Sequence, residues 1–248
     1  MQDELFDFTG KVVMVTGGSR GLGLEMVRAF AKRGADVVIT SRKAESCEAA
    51  AAEVRAMGRR ALAYGAHVGH WDELPGLVDA AYAEFGKVDI LINNAGMSPL
   101  APSSLETSEE LFDKVIGVNF KGPFRLSALV GSRMFAAGGG CIINVSSSGA
   151  IRPQPRFGPY AGAKAALNAI TEVFSKEYAP TVRVNTISAG PFLTDIAKAW
   201  TEERRNKRDN AAGRVGDPKE IVTAALYLAS PASSFTHGSM IRVDGGLP

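Results

Sequence analysis

The sequence predicts a doubly wound α/β fold, a three-layer α/β/α sandwich in which a seven-stranded parallel sheet carries helices on both faces. Three observations predict it. Short apolar, β-branched runs at 11–15, 35–40, 61–66, 88–92, 141–145, 182–187 and 241–246 alternate with stretches of helical periodicity. These runs are almost continuously apolar, as strands covered on both faces are. With 248 residues, 46% hydrophobic and 22% charged, the chain can bury one large core, and a single domain over 1–248 is expected.

Composition narrows the function. A formal net charge of +2 is too mild for a nucleic-acid or anionic-membrane partner. Cys47 and Cys141 form neither a disulfide framework nor a metal-ligand spacing, so no metal is expected and a reducing, cytoplasmic setting is. Asp3, Glu4 and Asp7 precede the first apolar run, unlike a signal peptide. No apolar stretch approaches the roughly 20 residues of a membrane span.

The first strand runs directly into Thr16-Gly17-Gly18-Ser19-Arg20-Gly21-Leu22-Gly23. A helix follows over 24–32, with apolar residues at Leu24, Val27, Phe30 and Ala31. Strand, glycine turn and helix make a phosphate site: glycines let main-chain N–H groups approach an anion, and the helix N-terminus adds partial positive charge. The spacing Thr-Gly-x-x-x-Gly-x-Gly resembles the fingerprint of the short-chain dehydrogenase/reductase family. That resemblance implies a Rossmann-type fold, a nicotinamide dinucleotide on the turn, and Ser19, Arg20 and Leu22 as cofactor neighbours beside the three glycines.

An NAD-preferring site would end the second strand with an acid for the ribose 2′-hydroxyl. Here the stretch is Thr40-Ser41-Arg42-Lys43, and Asp36 lies at the strand's other end. Arg42, beside Ser41, and Arg20 from the glycine turn can both face a 2′-phosphate. NADPH/NADP is therefore expected, with NADH the weaker alternative. A helix at 44–57 ends at Gly58, and the third strand leads to His67 and Val68. Family members commonly carry an Asp at the place of His67, against the adenine, with the next residue covering the ring. His67 departs from that pattern; an adenine neighbour and an exposed loop histidine are both open. The next helix, 72–85, has Asp72 as its expected cap and Pro75 in its first turn. The fourth strand ends in Asn93-Asn94-Ala95-Gly96, which is similar to a family motif. It implies that Asn94, Ala95 and Gly96 let the cofactor ribose pass over the strand end while the amides tie strands together.

The stretch 105–135 is apolar all round, so a helix there needs cover on two sides, and Pro123 suggests a kink or bulge. Asn119, among bulky apolar neighbours, needs internal partners; the resemblance implies a water-holding role beside the catalytic lysine. The fifth strand ends in Ser146-Ser147-Ser148, at the carboxyl edge where open α/β sheets bind ligands. Thirteen residues after Ser147 comes Tyr160-Ala-Gly-Ala-Lys164. Four residues apart on a helix, phenol and ammonium share a face. A free tyrosine titrates near pH ~10, and a nearby cation lowers that value. Ser147, Tyr160, Lys164 and Asn119 match the family's catalytic set. Arg152 and Arg156, between serine and tyrosine, weakly favour an anionic substrate.

After the sixth strand, Gly190, Phe192 and Thr194 fall in a loop similar to the family's Pro-Gly-x-x-x-Thr, which holds the carboxamide; Ala189 replaces the proline. The polar stretch 194–214 is either a solvated helical face or part of a substrate-covering lid over 191–214, with Phe192, Leu193, Ile196 and Trp200 facing inward. Asp217 and Pro218 open a last helix. His237 is read as structural. The expected activity is hydride transfer between a nicotinamide and the carbonyl or alcohol carbon of a small molecule: a 3-oxoacyl thioester, a sugar or polyol, or another ketone. The alternative is a nicotinamide-binding redox sensor without turnover. The small residues leading the Tyr160 helix suggest close helix packing in a homo-oligomer, a dimer or tetramer.

Overall fold

In the computed structural model, which describes residues 4–194 and 210–247, seven parallel strands pair in the order β3-β2-β1-β4-β5-β6-β7. They are β1 (Val12–Thr16), β2 (Asp36–Ser41), β3 (Ala61–Gly65), β4 (Ile90–Asn93), β5 (Gly140–Ser147), β6 (Val182–Ala189) and β7 (Met240–Val243). Among the described residues the helices are α1 (Gly21–Ala31), α2 (Ala44–Ala56), α3 (Leu74–Phe85), α4 (Glu109–Ile116), α5 (Gly122–Ala136), α6 (Gly158–Glu177) and α7 (Val222–Ala229). All seven expected strands are present, so this is the doubly wound Rossmann architecture. Strand order reverses between β1 and β4, which opens a crevice at their carboxyl ends.

Period-2 alternation explains why the strands are apolar throughout. Val13, Val15, Val37, Ile39, Ile92 and Ile143 face one core with Met26, Phe30 and Val54, while Met14, Val38, Leu91 and Ile142 face a second with Leu77, Leu126 and Phe174. Each such side chain contributes about 1.5–3 kcal/mol on leaving water. The two helical layers are therefore held to the sheet by the strands' own alternation.

Two sequence expectations need correction. The helix expected over 105–135 starts only at Glu109, and the kink or bulge expected from Pro123 is a π-helical turn, Gly117–Lys121, that lies just before it and joins α4 to α5. Asn119 Nδ2 donates to the Val115 carbonyl at 2.9 Å, the acceptor that its own N–H would take in an α-helix. Gly122 N–H bonds the Gly117 carbonyl five residues back, and Pro123, which lacks an N–H, sits just beyond in the first turn of α5. The second correction concerns Asp72, which lies in a short 3-10 turn (Trp71–Glu73) instead of capping α3. Glu73 is the engaged acid there, accepting the His67 N–H at 2.8 Å.

Asp217 caps the 3-10 turn Pro218–Ile221 that leads into α7, as expected, and Glu220 completes a reciprocal capping box that the sequence reading did not include. His237 is structural, as expected: Nδ1 accepts Val184 N–H and Nε2 meets the Ser175 carbonyl. The faces of α5 and α6 leave Phe124, Phe135 and Val173 exposed, on the surface where self-association was expected. Among the described residues no helix is long and apolar enough to cross a membrane.

Candidate active site

The glycine turn is built by main-chain contacts. Gly17 N–H donates to the Thr40 carbonyl at 2.7 Å, and Gly17 and Gly21 adopt φ values of 64° and 54°. At Gly23 a Cβ would overlap the Gly17 carbonyl oxygen and lie 2.5 Å from Asn94 Nδ2. Asn94 Nδ2 donates to the carbonyls of Thr16 at 2.9 Å and Gly17 at 3.3 Å, while Thr16 Oγ1 accepts N–H bonds from Asn94 and Ala95. The asparagine amide thus ties β4 to the turn. Helix α1 begins at Gly21 with no side-chain cap and no acid in its first turn. Its first N–H groups and helix dipole fit an anion such as a dinucleotide pyrophosphate.

Beside the turn, Ser19 Oγ donates to Ser41 Oγ at 3.0 Å, and the buried Cys47 thiol lies 3.0 Å from the same Ser41 hydroxyl. Arg20 and Arg42 are exposed at this edge. Asp36 at the far end accepts the Arg60 N–H at 2.9 Å and pairs with Arg59, so β2 presents no acid to a ribose. His67 stacks on His70 with ring centroids 4.2 Å apart, and its Nδ1 accepts Gly69 N–H at 3.2 Å. Burial, then the neighbouring His70 and Arg42, hold the His67 imidazole below its ordinary pKa. Val68 is buried in the core, where Gly122 at the start of α5 closes on its main chain.

At the carboxyl end of β5, Ser147 Oγ accepts Gly149 N–H at 3.0 Å and faces Tyr160 closely enough to act on its pKa. Removal from water pushes the Tyr160 pKa up, and the Ser147 hydroxyl pulls it down. Lys164 is buried; burial lowers its pKa from 10.5 to about 8. Its Nζ donates to the Val145 carbonyl at 2.8 Å, and Ser146 Oγ donates to the Lys164 carbonyl at 3.2 Å, so two bonds lock α6 onto β5. Asn119, wholly buried, accepts Met97 N–H and donates to the Met97 carbonyl. Gly96 lies between it and the lysine: a Cβ there would be 3.0 Å from Asn119 Oδ1 and 3.7 Å from Lys164 Nζ. The four residues thus meet at the ends of β4 and β5.

Behind them runs a buried polar network that sequence reasoning did not assemble. Asn93 Nδ2 donates to Asn144 Oδ1 at 2.9 Å and to Ser127 Oγ at 3.0 Å. Asn144 Nδ2 donates to Thr171 Oγ1, which also accepts from Thr186 Oγ1, both at 2.9 Å. It joins β4, β5, β6, α5 and α6. The available signal was Asn144 itself, a polar residue inside an apolar strand that needs an internal partner.

Residues 17–248 match the family model described as enoyl-(acyl carrier protein) reductase. The chain belongs to the short-chain dehydrogenase/reductase family. It is similar to D-threitol dehydrogenase of Mycolicibacterium smegmatis, with 36% identity over 97% of this chain and 95% of the relative. A structure of 7α-hydroxysteroid dehydrogenase with NADH and 7-oxo glycochenodeoxycholic acid superposes with a TM-score of 0.93 at 32% identity, covering 98% of this chain and 96% of that one. NADPH-dependent 3-quinuclidinone reductase from Rhodotorula rubra gives 0.92 at 30%, covering 98% and 93%. This short-chain dehydrogenase/reductase is accordingly an oxidoreductase of alcohol and ketone groups, with a nicotinamide dinucleotide as its expected cofactor.

On the far side of the crevice, Gly190 N–H donates to the Val243 carbonyl, and a Cβ at Gly190 would lie 2.5 Å from Asp244 Cα. Thr194 reaches back to the glycine turn, 3.4 Å from where a Gly21 Cβ would be. Phe192 does not face the crevice as expected: its ring is buried in the core against Gly216, leaving its main chain for any cofactor contact. Leu193 is exposed. Ile196 and Trp200, and with them most of the expected lid, lie outside the described residues.

Proposed function

We propose that this enzyme reduces the carbonyl of a small ketone with NADPH, the reverse oxidation following the same path. The observation that carries the reading is Ser147 Oγ at the end of β5, close enough to Tyr160 to lower its pKa, with a buried lysine one helical turn beyond the tyrosine. A nicotinamide dinucleotide held by its pyrophosphate at the glycine turn would supply the hydride for the new C–H bond. Ser147 and Tyr160 hydrogen-bond the substrate oxygen and orient its carbon. As the C=O π bond breaks, Tyr160 gives its phenol proton to that oxygen, forming the O–H of the alcohol. The Lys164 ammonium favours the resulting phenolate and would bond the ribose of the cofactor. Protons return to Tyr160 past Lys164 and Asn119, the latter fixed by the Met97 main chain.

The NADPH preference rests on Arg42, Arg20 and the Ser19–Ser41 hydroxyls beside a strand end without an acid. His67 adds an imidazole, not a carboxylate, to the same edge, which further suits a phosphate. The test is NADPH consumption over ketones, β-ketoacyl thioesters and keto-sugars, with Tyr160→Phe beside the wild type. Loss of a positioned general acid should lower kcat by about 10²–10⁴-fold while NADPH binding is retained. Full activity in the variant would overturn the mechanism.

A further inference from the structure

Arg156 is the non-glycine residue with positive φ, 76°, among the described residues. A bulky side chain occupies that region only where surrounding contacts over-determine it, and such residues cluster at ligand clamps. The contacts here form a two-bond clasp. Ala101 N–H donates to the Arg156 carbonyl at 3.0 Å, and Arg156 Nε donates to the Ala101 carbonyl at 3.1 Å. Ala101 is itself buried, so the loop before α6 is anchored to the loop after β4.

The clasp sets the next residue, Phe157. Its ring centroid lies 6.1 Å from that of Tyr160, tilted by 56°. A Cβ at Gly149 would lie 2.9 Å from Phe157 Cε2 and 3.4 Å from Ser147 Oγ, so ring edge and serine hydroxyl border the same space. Phe157 is half-buried, which leaves part of the ring for a ligand. A flat apolar surface thus stands beside the two hydroxyls that hold the substrate oxygen. A ring or branched alkyl group on the carbonyl carbon would cover it, whereas the hydroxyls of a short polyol would lose water there without gaining partners.

We infer that Phe157, held by the Arg156–Ala101 clasp, is a specificity-determining residue that selects carbonyl substrates carrying a ring-sized apolar substituent. The inference rests on the reductase reading above. It is tested by kcat and KM for cyclohexanone and hydroxyacetone with wild type, Phe157→Ala and Phe157→Tyr, together with saturation-transfer NMR of both ketones on each protein. Wild type should prefer cyclohexanone. Phe157→Ala should raise its KM about three- to tenfold, the size of an aromatic contact, and leave hydroxyacetone unchanged, while Phe157→Tyr restores the wild-type value. Equal losses for both ketones would mark Phe157 as merely structural and overturn the inference; so would a wild-type preference for hydroxyacetone. If neither ketone turns over, binding decides: cyclohexanone bound by wild type and lost in Phe157→Ala upholds the aromatic wall while the reductase reading loses its support. Equal binding of cyclohexanone by both proteins overturns the wall alone.

Discussion

The cofactor side and the catalytic side of the crevice are built from different materials. At the end of β1 the groups proposed to meet the cofactor are main-chain N–H donors of a turn whose glycines pack against carbonyls and the Asn94 amide. At the end of β5 the groups proposed to act on the substrate are side chains, Ser147, Tyr160 and Lys164, and the elements that carry them are tied by further side chains from Asn93 to Thr186. The first side fails when a Cβ is added where none fits. The second fails when one polar atom loses its partner, because a buried group left unsatisfied costs about 1–3 kcal/mol. The cofactor preference proposed above is assigned to exposed arginines on the first side, Arg20 and Arg42.

The largest effect expected from breaking this contrast is Gly23→Ala. The new methyl overlaps the Gly17 carbonyl, so Kd for NADPH should rise by more than about tenfold, and overpacking should cost about 1–3 kcal/mol of stability. Fluorescence titration and thermal melts measure both; wild-type values would show that the turn relaxes freely.

A smaller effect should come from Lys164, the buried cation of the catalytic side. Its pKa falls from 10.5 to about 8 on folding, so the unfolded chain binds the proton more tightly and the charged lysine opposes folding. That cost is fully present below about pH 8 and fades as pH rises toward the lysine's ordinary value. Lys164→Met should therefore melt higher than wild type at pH 7, with the gap narrowing by pH 9.5. A gap independent of pH would show that the ammonium is not what burial penalises. The smallest effect sharpens the comparison from the cofactor side: Arg42→Asp should shift the NADPH/NADH ratio of kcat/KM by about tenfold or more toward NADH and leave the melting temperature unchanged. An unchanged ratio would remove the arginine from the account of cofactor choice.

Much of this was legible in the chain. The seven strands follow from short β-branched runs, the phosphate turn from three glycines between a strand and a helix, and the Tyr160–Lys164 face from helical spacing. All are local patterns, read within a window of a few residues. Asp72 failed as a cap because it falls inside a 3-10 turn, Trp71–Glu73, and α3 starts only at Leu74, a boundary local propensity does not fix. In the 105–135 stretch Pro123 signalled a kink or bulge, but not its place at 117–121, where a side-chain bond from Asn119 competes with the backbone ladder.

What the sequence alone determined, then, is the order of strands and helices and the chemical types brought to the sheet's carboxyl edge, since periodicity and turn chemistry are set by neighbours along the chain. Only the tertiary structure decided that Asn93 meets Asn144 across 51 residues, that Lys164 rests on the Val145 carbonyl, that Phe192 turns into the core, and that Arg156 clasps Ala101 to set Phe157 beside Ser147. These contacts arise when both faces of one sheet are covered at once, and residues far apart in sequence must then satisfy one another's hydrogen bonds away from water.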